Sequence, residues 1–211
     1  MDNIHAEIGW MSESPSDSAY VLPTIHNIVE RLYRARPATI LDVGCGNGHI
    51  AESLAGLGHF VTAVDSSPTA ISIARTASRR VRFETCSIYD EQLVKIMGKG
   101  HVDCVISVEV VEHLYYPKKL FEQSQAVLKD GGYLIITTPY HGYLKNCALS
   151  ILNGWDRHFS VHWDGGHIKF FSKRSLATMA REAGFSDLRF RGVGRLPALW
   201  KSIIMVGRKK R

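Results

Sequence analysis

The sequence is short of the features that mark several large classes of protein. Its 211 residues include four cysteines and no Cys-x-x-Cys pair, which argues against a disulfide framework and a cysteine zinc site. No run of about 18 apolar residues is present, and the first twenty residues lack the basic and apolar regions of a leader peptide. We therefore expect one globular domain in the cytoplasm, with its cysteines buried and reduced.

Positive charge is also scarcer than the total suggests. The formal net charge is +6, and four of the cations are the last four residues, so the rest of the chain carries about +2. Nucleic-acid binding needs clustered cations, so the composition favours a small-molecule partner over a nucleic acid. It does not fix an oligomeric state.

Strand and helix patterns alternate through the middle of the chain. Short apolar runs such as "ATILDVG", "FVTAVD" and "VDCVISV" alternate with helical periods, one of them "KKLFEQSQAVLKDGG", which we expect to end at its glycines. This pattern predicts a parallel sheet with helices on both faces. Two further strands at the end are expected to form an antiparallel pair. The predicted parts are an N-terminal helical or lid segment (1–37), a core (38–139), a substrate or lid insertion (140–170) and a C-terminal helix with a strand pair (171–211).

A glycine-rich turn follows the first predicted strand. In "LDVGCGNG", Gly44, Gly46 and Gly48 allow the backbone to approach a ligand, and Asp65 ends the second strand. A carboxylate there can accept hydrogen bonds from both hydroxyls of a ribose. The G-x-G-x-G spacing, with Asp42 before it, suits a cationic or zwitterionic nucleoside better than a pyrophosphate.

These segments, with "VDCVISVEVVEHL" and "VLKDGGYLIITTP", resemble class I S-adenosylmethionine-dependent methyltransferases, most strongly over residues 38–139. Within that class, "AESLAGLGHFVTAVD" and "EVVEHL" are most similar to the 3-O-methyltransferases of ubiquinone biosynthesis. The resemblance implies a Rossmann-like α/β fold with a seven-stranded, mostly parallel sheet and a last antiparallel strand. It also implies S-adenosyl-L-methionine as the cofactor.

The resemblance further implies a set of cofactor-binding positions. The backbone of Gly44 and Gly46 would pack against the methionine part near Asp42, and Asp65 would hold the ribose. The full set is Asp42, Gly44, Cys45, Gly46, Asp65, Ser66, Ser87, Ile88 and Val108, with Ser87 and Ile88 by the adenine. One departure is visible, because many relatives carry an acidic residue where this chain has Ser87, and Asp90 comes three residues later.

The segment "VEVVEHL" carries a second candidate site. On a helical turn, Glu109, Glu112 and His113 would share one face, and two adjacent carboxylates repel unless a positive group lies between them. Oxygen and imidazole ligands suit Mg²⁺ or Mn²⁺. Similar "ExxEH" segments in ubiquinone O-methyltransferases and in RNA 3′-end methyltransferases hold a divalent cation, and the resemblance adds His167 of "DGGHIKFF" as a further ligand.

Two alternatives stay open at this segment. Glu109 and His113 could serve the structure alone, or the reaction could use a histidine base without a metal, with His141 the first candidate and His113 the second.

The insertion after the last parallel strand supplies the acceptor side. Tyr140, Tyr143, Trp155, His158 and Trp163 are candidate substrate residues. "YLKNCALSILNGW" is amphipathic, with Leu144 and Ile151 on one face and Lys145 on the other. Core packing of its apolar face is favoured over peripheral contact with a membrane.

The sequence thus predicts a methyltransferase that modifies a hydroxyl of a small aromatic or vicinal-diol molecule, with Mg²⁺ assistance. There are two alternatives: methylation of the 3′-terminal ribose of an RNA, and methylation of a small-molecule amine.

Overall fold

A computed structural model describes residues 19–90, 92–156, 166–197 and 199–211. Its strands are β1 (Thr39–Val43), β2 (Phe60–Asp65), β3 (Arg82–Thr85), β4 (Val102–Val108), β5 (Leu128–Pro139), β6 (Phe185–Val193) and β7 (Ser202–Lys209). They form one sheet in the order β3-β2-β1-β4-β5-β7-β6. The pairs among β1 to β5 are parallel, and β7 runs antiparallel to both β5 and β6. The predicted seven-stranded sheet and its antiparallel end are confirmed.

Helices cover both faces of the sheet. They are α1 (Leu22–Tyr33), α2 (His49–Gly56), α3 (Pro68–Ala77), α4 (Leu93–Met97), α5 (Lys118–Val127), α6 (Tyr143–Ile151) and α7 (Lys173–Glu182), with 3₁₀ turns at Ala19–Val21 and Val111–His113. Successive residues of β1 point to opposite faces, so Ile40 packs with α1, α2 and α3 whereas Leu41 packs with α4, α5 and α7. Helix α1 therefore shares the core of the predicted cofactor-binding unit.

One boundary and one helix differ from the prediction. Residues 129–132 belong to β5, so the helix before them ends at Val127 and not at its glycines. The reason is a close backbone approach, since a Cβ at Gly132 would lie 2.9 Å from the carbonyl oxygen of Lys129 and 3.0 Å from that of Asp103. Helix α4, which is only five residues long, was not predicted.

The orientation of α6 is opposite to the prediction. None of its residues is buried, and Tyr143 and Ile151 are more than 80% exposed, whereas Lys145 and Asn146 on the polar side are half-buried. Core packing of its apolar face was therefore the wrong expectation, and it is the polar face that turns toward the protein.

Among the described residues, no helix combines the length and the apolar character needed to cross a bilayer. Residues 1–18, which belong to the predicted lid segment, lie outside the described part of the chain.

Candidate functional site

The glycine turn lies where β1 meets α2, at the edge formed by the carboxyl ends of the parallel strands. Gly44, Gly46 and Gly48 all have positive φ, which explains the glycines on backbone grounds alone. The backbone N–H groups of Gly44 and Cys45 donate to the carbonyl oxygen of Val64, at 2.8 and 3.0 Å. The turn is thus hydrogen-bonded to β2 and lies at the carboxyl edge of the sheet.

Two of the three glycines make room for the protein itself. A Cβ at Gly44 would lie 2.4 Å from Val110, and one at Gly48 would lie 2.7 Å from the ring of Phe83. Packed side chains occupy the space that a Cβ would take at these two positions, and the approach of the backbone to a ligand stays a prediction.

Asp65 joins the turn to the next helix. One carboxylate oxygen accepts a hydrogen bond from Gly46 N–H and the other from Ser67 N–H, each at 2.9 Å. Burial raises the pKa of Asp65, while these bonds and a third from Ser66 N–H act in the opposite direction. These three bonds leave one of the roughly four acceptor positions of the carboxylate open, so it can still accept a hydroxyl hydrogen bond.

Asp42 is buried in β1 and is 1% exposed. Among the described residues, its Oδ2 atom has no hydrogen-bond partner. Burial, and then the charge of Asp65, raise the pKa of Asp42 to about 7. An unpartnered buried carboxylate oxygen beside the turn fits a ligand with a positively charged or N–H donor group.

The remaining predicted cofactor residues line the same strand ends or lie just behind them. Cys45, Ser87, Ile88 and Val108 are buried, and Ser66 is exposed. The Ser87 hydroxyl accepts a hydrogen bond from Tyr89 N–H, and Ile88 packs in the core against the helices of its face. Asp90 is exposed on the following turn.

"VEVVEHL" does not form the single helical turn that its spacing predicts. Strand β4 ends at Val108, Glu109 has a φ of 53°, and only Val111–His113 form a 3₁₀ turn. A positive φ in a glutamate is costly, and tertiary contacts hold it here. Glu109 N–H donates to Thr137 Oγ1 at 3.0 Å, and the Thr137 hydroxyl donates to Glu109 Oε1 at 2.7 Å.

Glu112 is buried without a hydrogen-bonding partner for its side chain. It is 1% exposed, and among the described residues neither carboxylate oxygen has a hydrogen-bond donor. Burial, and then the nearby charge of Glu109, raise the pKa of Glu112 well above its ordinary value, while its own backbone N–H and the Thr138 hydroxyl, which are near but do not meet hydrogen-bond geometry, act in the opposite direction. Such a group is expensive unless a proton or a cation neutralises it.

Two imidazoles lie beside this carboxylate. One ligand atom each from Glu112, His113 and His167 lie within 4.8 Å of one another, and the two rings are 4.9 Å apart between centroids. The backbone N–H groups of Ile168 and Lys169 donate to the carbonyl oxygen of Glu112, at 3.0 and 3.1 Å. These bonds bring His167 to the end of β4 from a distant part of the sequence.

The hydrogen bond of His113 indicates which of its ring nitrogens carries the proton. Its Nδ1 atom lies 3.2 Å from the carbonyl oxygen of Gly166, which can only accept a hydrogen bond. In the neutral imidazole Nδ1 therefore carries the proton, and the lone pair of Nε2 faces other partners. This tautomer leaves Nε2 as the nitrogen of His113 that could bind a metal.

Glu109 lies outside this group of three. Burial raises its pKa to about 7, against hydrogen bonds from Thr137 and Ser202 and the charge of Lys145. The structure thus brings together three of the four predicted metal ligands and holds the fourth against β5.

The structure does not bring all the predicted substrate residues together. The ring centroid of Tyr140 lies 5.2 Å from that of Trp200, and the centroid of His141, the candidate base, lies 4.9 Å from that of Phe170. Tyr143 is exposed, and Trp155 is half-buried. His158 and Trp163 lie outside the described residues.

Several contributors were missed by sequence reasoning. Thr137 positions Glu109, Val110 covers Gly44, and Trp200 lies against Tyr140. Each acts through a contact distant in sequence, and no spacing pattern in the chain signals it.

Known proteins share the sequence pattern and the fold of this chain. The sequence profile of a family described as a methyltransferase domain matches residues 19–189. A ubiquinone biosynthesis O-methyltransferase of Thiobacillus denitrificans is 31% identical over 160 residues, covering 73% of this chain and 67% of that protein. Its counterpart in Hydrogenovibrio crunogenus is 29% identical over 183 residues, covering 83% and 74%.

A solved structure shares the fold. The 1,6-didemethyltoxoflavin-N1-methyltransferase of Burkholderia thailandensis, with 1,6-didemethyltoxoflavin and S-adenosylhomocysteine bound, superposes with a TM-score of 0.67. It covers 92% of this chain and 80% of its own, at 22% identity, so the likeness concerns the fold alone.

Proposed function

This chain belongs to the S-adenosylmethionine-dependent methyltransferases, and from that membership we propose that it methylates one of two neighbouring hydroxyls on a small molecule with the help of a divalent cation. The observation that carries the proposal is the buried, unpartnered Glu112 beside the imidazoles of His113 and His167. The names of the two ubiquinone O-methyltransferases support an oxygen acceptor.

The cofactor side rests on two carboxylates. S-adenosylmethionine, when bound, supplies a methyl group on a sulfonium that departs as a neutral thioether. Asp42 would accept hydrogen bonds from the ammonium group of its methionine part, because Oδ2 is buried and unpartnered. Asp65, held by Gly46 N–H and Ser67 N–H, would accept the ribose hydroxyls.

Binding of the methyl acceptor would depend on Glu112, His113 and His167. A divalent cation, when bound, lowers the pKa of a coordinated hydroxyl. Glu112, His113 and His167 would hold it, and one carboxylate with two imidazoles suits Mn²⁺ better than Mg²⁺, which prefers oxygen ligands. With His113 engaged through Nε2, His141, the first candidate base from the sequence, would accept the hydroxyl proton.

An amine acceptor accounts for fewer of these observations, whereas an RNA ribose remains a test case. Methylation of an amine needs no cation and leaves the buried Glu112 without a function. A 3′-terminal ribose offers the same pair of hydroxyls, so a short RNA belongs among the test substrates.

The test is methyl transfer to catechol from radiolabelled S-adenosylmethionine, in chelator and after addition of Mn²⁺. We expect chelator to abolish turnover, Mn²⁺ to restore it, and cofactor binding to be the same in both states. Asp65→Ala should lose cofactor binding, whereas Glu112→Gln should keep it and lose turnover. Full activity of the Glu112→Ala, His113→Ala double variant in chelator would contradict the proposal.

A further inference from the structure

The last strand of the sheet has no neighbouring strand on its outer side in the part of the chain that the structure describes. Strand β6 pairs with β7, and nothing follows it in the order of the sheet. Within residues 19–90, 92–156, 166–197 and 199–211, its backbone groups bond only to β7 and to Lys201, which directly precedes β7. The outer N–H and C=O groups of such an edge can pair with a further strand.

The register of β6 separates its side chains into two rows. Arg191 pairs with Ile204, which belongs to the core beneath α1, so Arg191 and Arg189 project on that face, where both are exposed. Leu188 and Phe190 alternate with them and are half-buried on the other face, against the core beneath α5 and α7. The edge thus has a cationic row on one face and an apolar row on the other.

A bulge limits how much of this edge can pair. The register shifts between Ser186 and Arg189, and Asp187 in this bulge has a φ of 50°. Bulges of this kind interrupt the ladder of hydrogen bonds and blunt an exposed edge. The regular part of β6 is therefore residues 189–193, which contain both arginines and Phe190.

The two arginines lack ion-pair partners among the described residues. Neither Arg189 nor Arg191 takes part in an ion pair there, and Asp187, the one acid of β6, lies in the bulge. The strand at the opposite end of the sheet differs, because β3 is four residues long and its Arg82 pairs with Glu84 at 3.0 Å. The charge of β3 is neutralised within the strand, whereas the charge of β6 is available to another molecule.

The sequence around β6 has the same sign of charge. Residues 185–211 contain eight of the 26 lysines and arginines and one of the 20 acids, so their net charge is +7 and that of the rest of the chain is −1. Charge complementarity therefore favours an acidic partner for this part of the molecule.

The two rows together select one kind of acidic partner. A second copy of β6, paired antiparallel about a twofold axis, would place arginines against arginines, which is unfavourable. A phosphate backbone would neutralise the arginines but would leave the apolar row of Leu188 and Phe190 without a contact. An extended polypeptide with acids on one face and apolar side chains on the other satisfies both rows.

We infer that β6 is a docking edge for an acidic partner protein, which adds an extended segment of alternating acidic and apolar residues to the sheet as its eighth strand. The acids lie opposite Arg189 and Arg191, and the apolar residues extend the row of Leu188 and Phe190. Backbone hydrogen bonds to residues 189–193 fix the register. The inference does not depend on the proposed function, since β6 is three strands away from β4 in the sheet.

The test uses short fluorescent peptides with blocked ends. The parent peptide is Glu-Val-Glu-Ile-Glu-Val-Glu, one control replaces every Glu by Gln, and the other replaces every apolar residue by Pro, which keeps the charge and prevents pairing as a strand. Fluorescence anisotropy with the full chain measures the dissociation constants. We expect the parent peptide to bind at least about fivefold more tightly than either control, as two cross-strand ion pairs allow.

Variants of the protein locate the binding. Arg189→Gln and Arg191→Gln should each weaken binding of the parent peptide about two- to fivefold and leave that of the Gln peptide unchanged. The matched control is Arg79→Gln, which makes the same change at an exposed arginine that precedes β3 and should have no effect. Hydrogen exchange followed by mass spectrometry should slow in residues 185–193 when the parent peptide binds.

Absence of binding by the parent peptide, or equal binding by the proline peptide, would overturn the inference, because β6 would then not accept an eighth strand. Oligouridylate and phosphatidylglycerol vesicles cover the other acidic partners. If the Arg189→Gln, Arg191→Gln double variant loses binding to either of these and keeps its binding to the parent peptide, the arginines serve a nucleic acid or a lipid surface and the inference is wrong. Each of these results would leave the proposed function standing, because methyl transfer to catechol is measured without any peptide.

Discussion

At the scale of single residues, buried acids at one edge of the sheet have hydrogen-bond donors, whereas those at the other edge have oxygens without a partner in the described part of the chain. Asp103, at the start of β4, accepts hydrogen bonds from Thr39 N–H, Arg36 and Lys129. Asp42 and Glu112, at or near the carboxyl ends of the strands, keep oxygens without a partner in the described part of the chain. Unsatisfied buried acids cost stability in the free protein, so their position at one edge supports the proposal that ligands bind there.

The titration of Asp42 predicts how cofactor affinity changes with pH. Its pKa is raised to about 7, so acidification below pH 7 protonates the carboxylate that would face the ammonium group of the cofactor. We expect the dissociation constant of S-adenosylmethionine to rise about tenfold from pH 8 to pH 6, and to be weak and flat in Asp42→Asn. Calorimetry at pH 6, 7 and 8 measures this, with Asp130→Asn as control, because the Asp130 side chain is 71% exposed. A flat wild-type profile would refute it.

Asp42 also makes the free energy of unfolding of the free protein depend on pH. A carboxyl pKa raised above its unfolded value of about 3.9 means that the native state holds the proton more tightly. The contribution of Asp42 to stability is therefore present at low pH and is lost as the pH rises toward 7. Asp42→Asn should remove this part of the pH dependence.

Thr137 supplies a second prediction at this scale. Thr137→Val removes the side-chain acceptor of Glu109 N–H and the donor to its carboxylate, so the strained Glu109 keeps only the longer bond from its N–H to the Thr137 carbonyl oxygen, at 3.3 Å. We expect a loss of about 1–3 kcal/mol in the free energy of unfolding by urea, and lower kcat. The matched control is Ser124→Ala, because the hydroxyl of Ser124 is buried and has no partner among the described residues. Equal losses in the two variants would contradict this role of Thr137.

At the scale of elements, the glycine turn and the segment after β4 are one packed unit. Val110 fills the space above Gly44, so the turn that would hold the cofactor touches the 3₁₀ turn that carries Glu112 and His113. Displacing either turn should therefore disturb the other.

A pair of glycine substitutions measures this contact. Gly44→Ala adds a Cβ 2.4 Å from Val110 at a φ of +76°, whereas Gly58→Ala has a φ of +88° and no atom within 4 Å. Backbone strain should cost about 1–2 kcal/mol in both, and overpacking should add about 1–3 kcal/mol in Gly44→Ala alone. Urea unfolding gives the difference, and equal losses would show that Val110 moves away freely.

The elements also show how far the sequence determines the structure. Alternating strand and helix patterns predicted β1 to β5, because a buried parallel strand needs a short apolar run. Gly131 and Gly132 were misassigned as a helix stop, since a close backbone approach and a helix end both favour glycine. The inward face of α6 was missed because its apolar side chains, not Lys145, indicated the buried side.

At the scale of the whole molecule, the candidate site is assembled from distant parts of the chain. Glu112 and His113 follow β4, His167 comes from the segment before α7, and Thr137 comes from β5. The first two were visible as a motif, and His167 was reached only through a family resemblance. Thr137, Val110 and Lys145 could not be predicted, because the contacts that define their roles exist only after the chain folds.

The central claim is that Glu112, His113 and His167 hold a divalent cation, and calorimetric titration of Mn²⁺ tests it without reference to turnover. The titration uses protein loaded with S-adenosylhomocysteine, with the exposed Glu122→Gln as control. We predict one Mn²⁺ per wild-type chain, and an affinity at least about tenfold weaker in Glu112→Gln and in His167→Ala. Absence of Mn²⁺ binding in the wild type, or undiminished affinity in Glu112→Gln, would contradict the account.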